Sequence, residues 1–303
     1  MHKGLISRVE RFSLHDGPGI RTLIVMKGCP LRCRWCSSPY TQSADPEILY
    51  IKGRCQGCGR CIAVCPNQAI AFETVDGPVK TDRSRCIGCG ACAAVCVNRA
   101  RELSGRHYTA AELFREVEKD AAFYRRSGGG ITVGGGEPTM QAAFVREFLA
   151  LCRSHLFHTA METSAYTPWE KLAPLLDLLD IVYMDLKHVD ERRHIQWTGA
   201  SNRVILENIR RAAQENHLIL RIPVIPGFND SAENISASAK FVKELGNNVV
   251  RLELLPYHQF GIHKYGELER LYPLESVTPP PDAHMKELRG MVRSFGLDCE
   301  IGG

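Results

Sequence analysis

The chain has 303 residues, 44% hydrophobic and 24% charged, with a formal net charge of +4. That is enough for one large α/β domain plus a small module. The charge is too slight and scattered for nucleic acid, and no stretch approaches the ~18 apolar residues of a membrane span. Met1–Ser7 carries no signal-length apolar run, so a cytoplasmic protein is expected. Thirteen cysteines in that setting argue for metal rather than disulfides. Eleven of them fall between Cys29 and Cys96, and only Cys152 and Cys299 lie outside.

Residues 1–27 predict a hairpin-like start and then a β-rich strand, Ile20–Met26, entered through the turn His15-Asp16-Gly17-Pro18-Gly19. The turn reads either as a plain connection or as a segment lying against the next loop, where Arg21 would meet an anion. After the strand comes Gly28-Cys29-Pro30-Leu31-Arg32-Cys33-Arg34-Trp35-Cys36, with thiols at spacing C-x3-C-x2-C. A closed cubane iron–sulfur site uses four cysteines. Three on one short loop leave one iron without a protein ligand. A zinc site completed by a distant His, or a disulfide loop, are the alternatives. The end of a first strand is also where α/β barrels keep their chemistry.

Residues 37–102 break the α/β rhythm. Cys55-x2-Cys58-x2-Cys61-x3-Cys65 is followed by Cys86-x2-Cys89-x2-Cys92-x3-Cys96, the bacterial ferredoxin run twice. In such modules the fourth Cys of each run ligates the other cluster. Cys55, Cys58, Cys61 and Cys96 are therefore expected to hold one [4Fe–4S] cluster, and Cys86, Cys89, Cys92 and Cys65 the second. Zinc knuckles are the alternative. Short strands are expected at 69–73 and 78–82. Some 50 residues are too few to be stable without their clusters.

From about 103 the rhythm becomes βα. Thr109-Ala110-Ala111-Glu112 is a capping box for a helix running to Gly128. Strand Ile131–Val133 leads into Gly134-Gly135-Gly136-Glu137, where a glycine run allows close approach of backbone to a ligand. A helix over 139–154 follows, with Cys152 a packing residue, then strand Thr159–Ser164 with Glu162. Thr167-Pro168-Trp169-Glu170 is expected to cap the next helix. Asp180–His188 reads as a buried strand whose Asp185 and Lys187 should meet a ligand or each other. Leu218–Val224 buries Arg221, which needs an anionic partner. Val249–His258 is a sixth strand ending in His258. A long loop, 261–281, is expected to contact partners. Asp282 is expected to cap the last helix, and Leu297–Ile301 to close the sheet.

The C-x3-C-x2-C loop with Trp35 before its last Cys resembles the signature of the radical S-adenosylmethionine (SAM) superfamily. The upstream Ser13–Thr22 segment, with Asp16-Gly17-Pro18-Gly19-Ile20-Arg21, resembles the entry motif of the glycyl-radical-enzyme activating enzymes. The resemblance implies an α/β fold: a partial (β/α)6 TIM barrel over 1–48 and 103–303, with an inserted α+β bacterial ferredoxin-like domain over 49–102. It implies three [4Fe–4S] clusters, the catalytic one on Cys29, Cys33 and Cys36. It implies SAM contacts from Trp35, Gly135, Gly136, Glu137, Glu162, Asp185, Lys187, Arg221 and His258, with a monovalent cation near Asp185. Gly135-Gly136-Glu137 would meet the SAM amino group. Trp197-Thr198-Gly199 and Glu207-Asn208 also match family positions. The implied substrate is a partner glycyl radical enzyme, the implied reductant a flavodoxin or ferredoxin-type electron donor, and the implied state a monomer that binds neither nucleic acid nor membrane. Two rival functions are a radical SAM enzyme for a small molecule or peptide, and a non-catalytic electron carrier.

Overall fold

The computed structural model describes residues 2–74 and 77–302. Its strands in chain order are β1 (Lys3–Ser13), β2 (Arg21–Met26), β3 (Glu47–Tyr50), β4 (Ile70–Phe72), β5 (Val79–Thr81), β6 (Arg101–Ser104), β7 (Arg106–Thr109), β8 (Gly130–Gly135), β9 (His158–Thr163), β10 (Ile181–Asp185), β11 (Leu218–Val224), β12 (Val249–Pro256) and β13 (Cys299–Ile301). Nine form one mixed sheet in the order β13-β12-β11-β10-β9-β8-β2-β1-β7. From β2 to β13 every pairing is parallel, whereas β1 pairs antiparallel with both β2 and β7. The parallel strands are apolar runs because helices must cover them. Ile24, Ile131, Met161, Met184, Leu220 and Leu252 are all buried in one core.

The capping box opens the helix Ala110–Val117 as expected: the Thr109 side chain accepts from Glu112 N–H and Glu112 bonds back. That helix and its continuation Ala121–Ser127 end at Gly128, in the left-handed conformation. Leu113 and Val117 are fully buried against the sheet; such burial is worth about 1.5–3 kcal/mol per side chain.

Several local expectations fail. Helix Trp169–Leu176 has Pro168 at its cap with no side-chain bond, so Thr167 does not cap it. Asp282 is the first helical residue of Asp282–Ser294, and Pro281 is the cap. The segment 261–281 is not all loop, because Gly261–Glu267 is helical. The turn before β2 lies at the opposite end of that strand from the cysteine loop. There Thr132 Oγ1 donates to Asp16 O at 2.7 Å, and Gly130 N–H donates to Ile20 O.

Residues between β3 and β6 form a separate small body. β3 and β6 pair antiparallel at its neck, and β4 and β5 pair antiparallel within it. Its apolar centre is Ile48, Tyr50, Ile70, Val79, Cys92 and Ala100. Gly88 lies against Pro46: with φ +63°, any Cβ there would sit 2.1 Å from the Pro46 carbonyl oxygen.

Candidate active site and iron–sulfur centres

Cys29, Cys33 and Cys36 sit on the loop after β2, at the C-terminal edge of the parallel strands. The loop is pinned from several sides. Gly28 N–H donates to Thr41 O and Cys29 N–H to Gln42 O. Arg32 N–H and Arg34 N–H donate to Thr198 O (2.7 Å) and Trp197 O (3.0 Å). These two carbonyls end the helix Glu191–Thr198, which Gly199 terminates with φ 78°. Trp197-Thr198-Gly199 thus holds the cysteine loop by main-chain bonds. Burial pushes the Cys29 and Cys33 thiols up to about 12. They are protonated until a metal takes them, so loading this loop releases protons.

The glycine run packs directly on that loop. Glu137 N–H donates to Gly28 O at 2.8 Å, and a Cβ on Gly136 would lie 2.3 Å from the same oxygen. The Glu137 carboxylate is 1% exposed and already filled. Oε1 accepts from Thr139 N–H, Thr139 Oγ1 and Thr163 Oγ1; Oε2 accepts from Ser164 N–H and Oγ, all within 3.2 Å. It ties the β8 end to the β9 end. Any acceptor that Gly135-Gly136-Glu137 offers an ammonium here is therefore main-chain.

Asp185 and Lys187 meet each other, Nζ to Oδ2 at 2.5 Å. Burial works against the Lys187 charge, but Asp185 and the neighbouring Cys33 and Cys29 hold it above its ordinary value. The pair therefore lies beside the thiols. Arg221 finds its anions within the protein. Nη1 pairs with Glu162 Oε1 at 2.5 Å, Nε with Glu253 Oε2 at 2.9 Å, and the guanidinium sits 3.7 Å over the Tyr183 ring. Glu162 is spent on the same pair, and burial lifts its carboxyl above the usual range despite Arg221. Arg21 is fully buried, with no ion-pair partner among the described residues. Its guanidinium donates to Thr132 Oγ1 (2.6 Å), Ile131 O (2.6 Å) and Pro18 O (3.3 Å).

His258 follows β12, exposed, with its Nδ1 accepting from Phe260 N–H and its ring stacked on Phe260 at 4.3 Å. Three residues after His258, the Gly261 backbone closes on the Cys36 carbonyl: a Cβ there would lie 3.0 Å from its oxygen. Trp35 is buried with Phe228 at 4.9 Å, and Tyr257, Tyr265 and Tyr272 complete that apolar layer. Sequence reasoning missed this layer, because its members come from separate loops and from the helix Gly261–Glu267. It also missed the asparagine staples. Asn208 Nδ2 donates to Ala165 O and Thr167 O; Asn202 Nδ2 to His188 O and Val189 O; Asn229 Nδ2 to Lys187 O and Pro223 O. Each fixes a loop at the sheet edge that carries the thiols. The position noted as Glu207-Asn208 is one of them.

In the small body the cysteines divide by space, not by sequence. Cys55, Cys58, Cys61 and Cys96 line one small cavity, and Cys65, Cys86, Cys89 and Cys92 line another. Ala69 N–H donates to Cys65 Sγ and Ala100 N–H to Cys96 Sγ, each at 3.2 Å. Among the described residues no three His, Cys, Asp or Glu converge on a point that would hold a single metal ion. A cubane spreads its four thiolates over four irons. Arg101 lines both cavities and is 2% exposed. It donates to Thr81 Oγ1 and stacks over Tyr50, but its Nε and Nη2 have no partner among the described residues. A buried cation with free donors between two four-cysteine cradles fits two anionic clusters.

The model of the radical SAM superfamily matches residues 83–238, and that of the 4Fe-4S dicluster domain matches 47–97. The isethionate sulfite-lyase activating enzyme of Nitratidesulfovibrio vulgaris is 42% identical over 95% of this chain and 95% of its own. The (2S)-3-sulfopropanediol dehydratase activating enzyme of Klebsiella oxytoca is 37% identical, covering 99% and 97%. The 4-hydroxyphenylacetate decarboxylase activating enzyme of Clostridioides difficile is 37% identical over 99% and 96%. Among solved structures, a domain of pyruvate-formate lyase-activating enzyme from Bacteroides vulgatus aligns with TM-score 0.50 and 29% identity, covering 58% of this chain and all of that one. With near-full-length relatives at this identity and a cysteine triad at the parallel sheet edge, the chain belongs to the glycyl-radical-enzyme activating enzymes of the radical SAM superfamily.

Proposed function

We propose that this enzyme installs a radical on one glycine of a partner glycyl radical enzyme. Cys29, Cys33 and Cys36 would hold the catalytic [4Fe–4S] cluster, with one iron open to SAM. When bound, that cluster and one electron supply the cleavage of SAM to methionine and a 5′-deoxyadenosyl radical, which takes the glycine Cα hydrogen. The observation that carries the reading is the place of the thiols: a pinned loop at the C-terminal edge of the parallel strands, beside the buried Asp185–Lys187 pair. Lys187 brings a fixed positive charge to that loop. Asp185 is half-exposed, with an oxygen beyond the ion pair free for a monovalent cation or for SAM. The aromatic layer around Trp35 packs against one side of Cys33. Trp35, the Gly135-Gly136 carbonyls and His258 are the further SAM contacts. Glu162, Glu137 and Arg221 shape the site from behind.

The wider organisation follows from the same reading. Residues 1–48 and 103–303 form a partial (β/α)6 barrel, and 49–102 an inserted ferredoxin-like domain with two more [4Fe–4S] clusters. The separate apolar centre and the two four-cysteine cavities support this. Among the described residues no helix is long and apolar enough to cross a membrane. The enzyme would work in the cytoplasm as a monomer, reduced by a flavodoxin or ferredoxin-type donor.

The test is anaerobic incubation of the reconstituted enzyme with its partner, SAM and a reductant. A glycyl radical doublet should appear by electron paramagnetic resonance (EPR), and Cys33→Ala should abolish it. If 5′-deoxyadenosine forms but never carries deuterium from an α-deuterated glycine in the partner, the substrate is not that glycine.

A further inference from the structure

Charge is distributed unevenly along the chain. Residues 49–102 carry eight Lys and Arg against four Asp and Glu, which leaves 30 of each elsewhere. The small body thus holds the whole net charge of +4, and the remainder is neutral.

Within that body the two cysteine cavities are not equivalent. The Cys65/Cys86/Cys89/Cys92 cavity is the one tied to the rest of the chain. Its Gly88 turn lies on Pro46, and its wall residues Ile48 and Thr81 are tied through Arg83 and Glu269 to the segment after Gly261–Glu267. Among the described residues its only charged lining residue is the buried Arg101. The Cys55/Cys58/Cys61/Cys96 cavity has no bond to the main sheet among the described residues. Its rim carries Arg54, Gln56, Arg60 and Val97. Cys58 and both arginines are exposed, and Val97 is 70% exposed although apolar. Arg54 has one surface partner, Glu102 at 3.4 Å, a pairing of little energy. Arg60 forms no ion pair among the described residues.

We infer that the rim of Arg54, Arg60 and Val97 over the outer cysteine set is the docking surface for an acidic one-electron carrier protein. The inference rests on the reading of the cysteine sets as clusters. Bare apolar surface flanked by arginine is the composition of a binding-site core. A basic patch steers an acidic partner and sets the encounter rate more than the final affinity. In the transfer one electron leaves the carrier, which is oxidised, and reduces the outer iron–sulfur site; no bond forms and no proton moves. Arg101 and the inner set then lie between that entry point and the barrel.

The experiment uses the reconstituted full chain and an acidic flavodoxin as probe. Binding is measured anaerobically at low and high salt, alongside SAM cleavage driven either by reduced flavodoxin or by dithionite. Wild-type binding should weaken with salt. The double variant Arg54→Glu/Arg60→Glu should bind about tenfold more weakly and lose flavodoxin-driven cleavage to match. Its iron content and dithionite-driven cleavage should stay intact. Lys240→Glu/Lys243→Glu, an equal charge reversal at exposed positions of a remote helix, should leave binding unchanged. If the double variant loses iron, Arg54→Gln/Arg60→Gln replaces it. Unchanged flavodoxin binding in the rim variants overturns the surface. Equal weakening by Lys240→Glu/Lys243→Glu overturns its location. Failure of the wild type to cleave SAM with dithionite would instead overturn the parent reading.

Discussion

Glu137→Gln separates a ligand from a structural knot. In the wild type five donors converge on the two carboxylate oxygens. Two are main-chain N–H groups, of Thr139 and Ser164, which cannot turn away; the three hydroxyls can. A glutamine in either flip keeps one oxygen and sets its NH2 against one of those N–H groups. The site is 1% exposed, so water does not relieve the clash. An orphaned buried donor costs about 1–3 kcal/mol, and losing charge-assisted bonds adds to it, so roughly 2–4 kcal/mol of stability should go. Melting of the reconstituted variant, followed by far-ultraviolet circular dichroism, should fall by several degrees. SAM affinity of the protein that remains folded should drop far less than in Cys33→Ala. A variant that melts with the wild type but no longer binds SAM would refute the reasoning, and would make the carboxylate a direct ligand of the ammonium.

Arg101→Met should make both of the clusters proposed for the small body harder to reduce. A buried cation favours the more negative, reduced state, and one charge within about 8 Å at an effective dielectric near 20 is worth about 2 kcal/mol, on the order of 0.1 V for one electron. Potentiometric titration followed by EPR reads the shift, and Arg101→Lys should restore most of it; unchanged potentials in the Met variant would show the guanidinium to be packing only. Acid should weaken the fold through His188, whose imidazole burial pushes down to about 4 while its Nδ1 accepts from Asp190 N–H. The unfolded chain, titrating near 6.5, binds more protons between these values, so stability is complete above about pH 6.5 and falls toward pH 4 by at most about 1.4 kcal/mol per unit. His188→Asn keeps an acceptor for Asp190 and should flatten that slope; an equally steep slope in the variant would assign the loss to other groups.

The parallel strands were legible because each is an apolar run bounded by punctuation, and burial on both faces leaves no other reading for Ile181–Met184 or Leu218–Val224. The cysteine sets were legible from spacing, and the structure divides the eight insert cysteines between two cavities in the crossed manner that the spacing implied. The partners of charged groups within strands were harder to read. Arg221 has a sequence neighbourhood that calls for an anion, but nothing local says that Glu162 and Glu253 stand on the adjoining strands; only the parallel register, Arg221 opposite Glu253, reveals it. Arg21 shows the same limit, since a guanidinium can be satisfied by neutral carbonyls and a hydroxyl. That the Glu137 carboxylate is filled from within the protein was not legible, because Thr163 and Ser164 lie 26 and 27 residues away.

The segment after helix Gly261–Glu267 was expected to face partners, yet its first residues turn inward onto the small body. Glu269 holds a left-handed φ of 55°, unusual for a side chain with a Cβ. Such a conformation costs on the order of 1 kcal/mol and persists only where its surroundings fix it. Here the carboxylate takes Thr81 N–H at 3.0 Å and Arg83 Nε at 2.9 Å, while the next residue, Arg270, reaches Glu47 at 2.6 Å. Glu47 in turn holds the buried Lys27, immediately before the cysteine loop. One run of charges therefore connects the small body, the segment after β12 and the entry to Cys29. Electron transfer falls steeply with separation, so a module hung on a flexible tether would deliver electrons irregularly. In the relay proposed above, the strained Glu269 and the Lys27–Glu47–Arg270 chain would instead hold the small body in a fixed position relative to the segment that leads into Cys29.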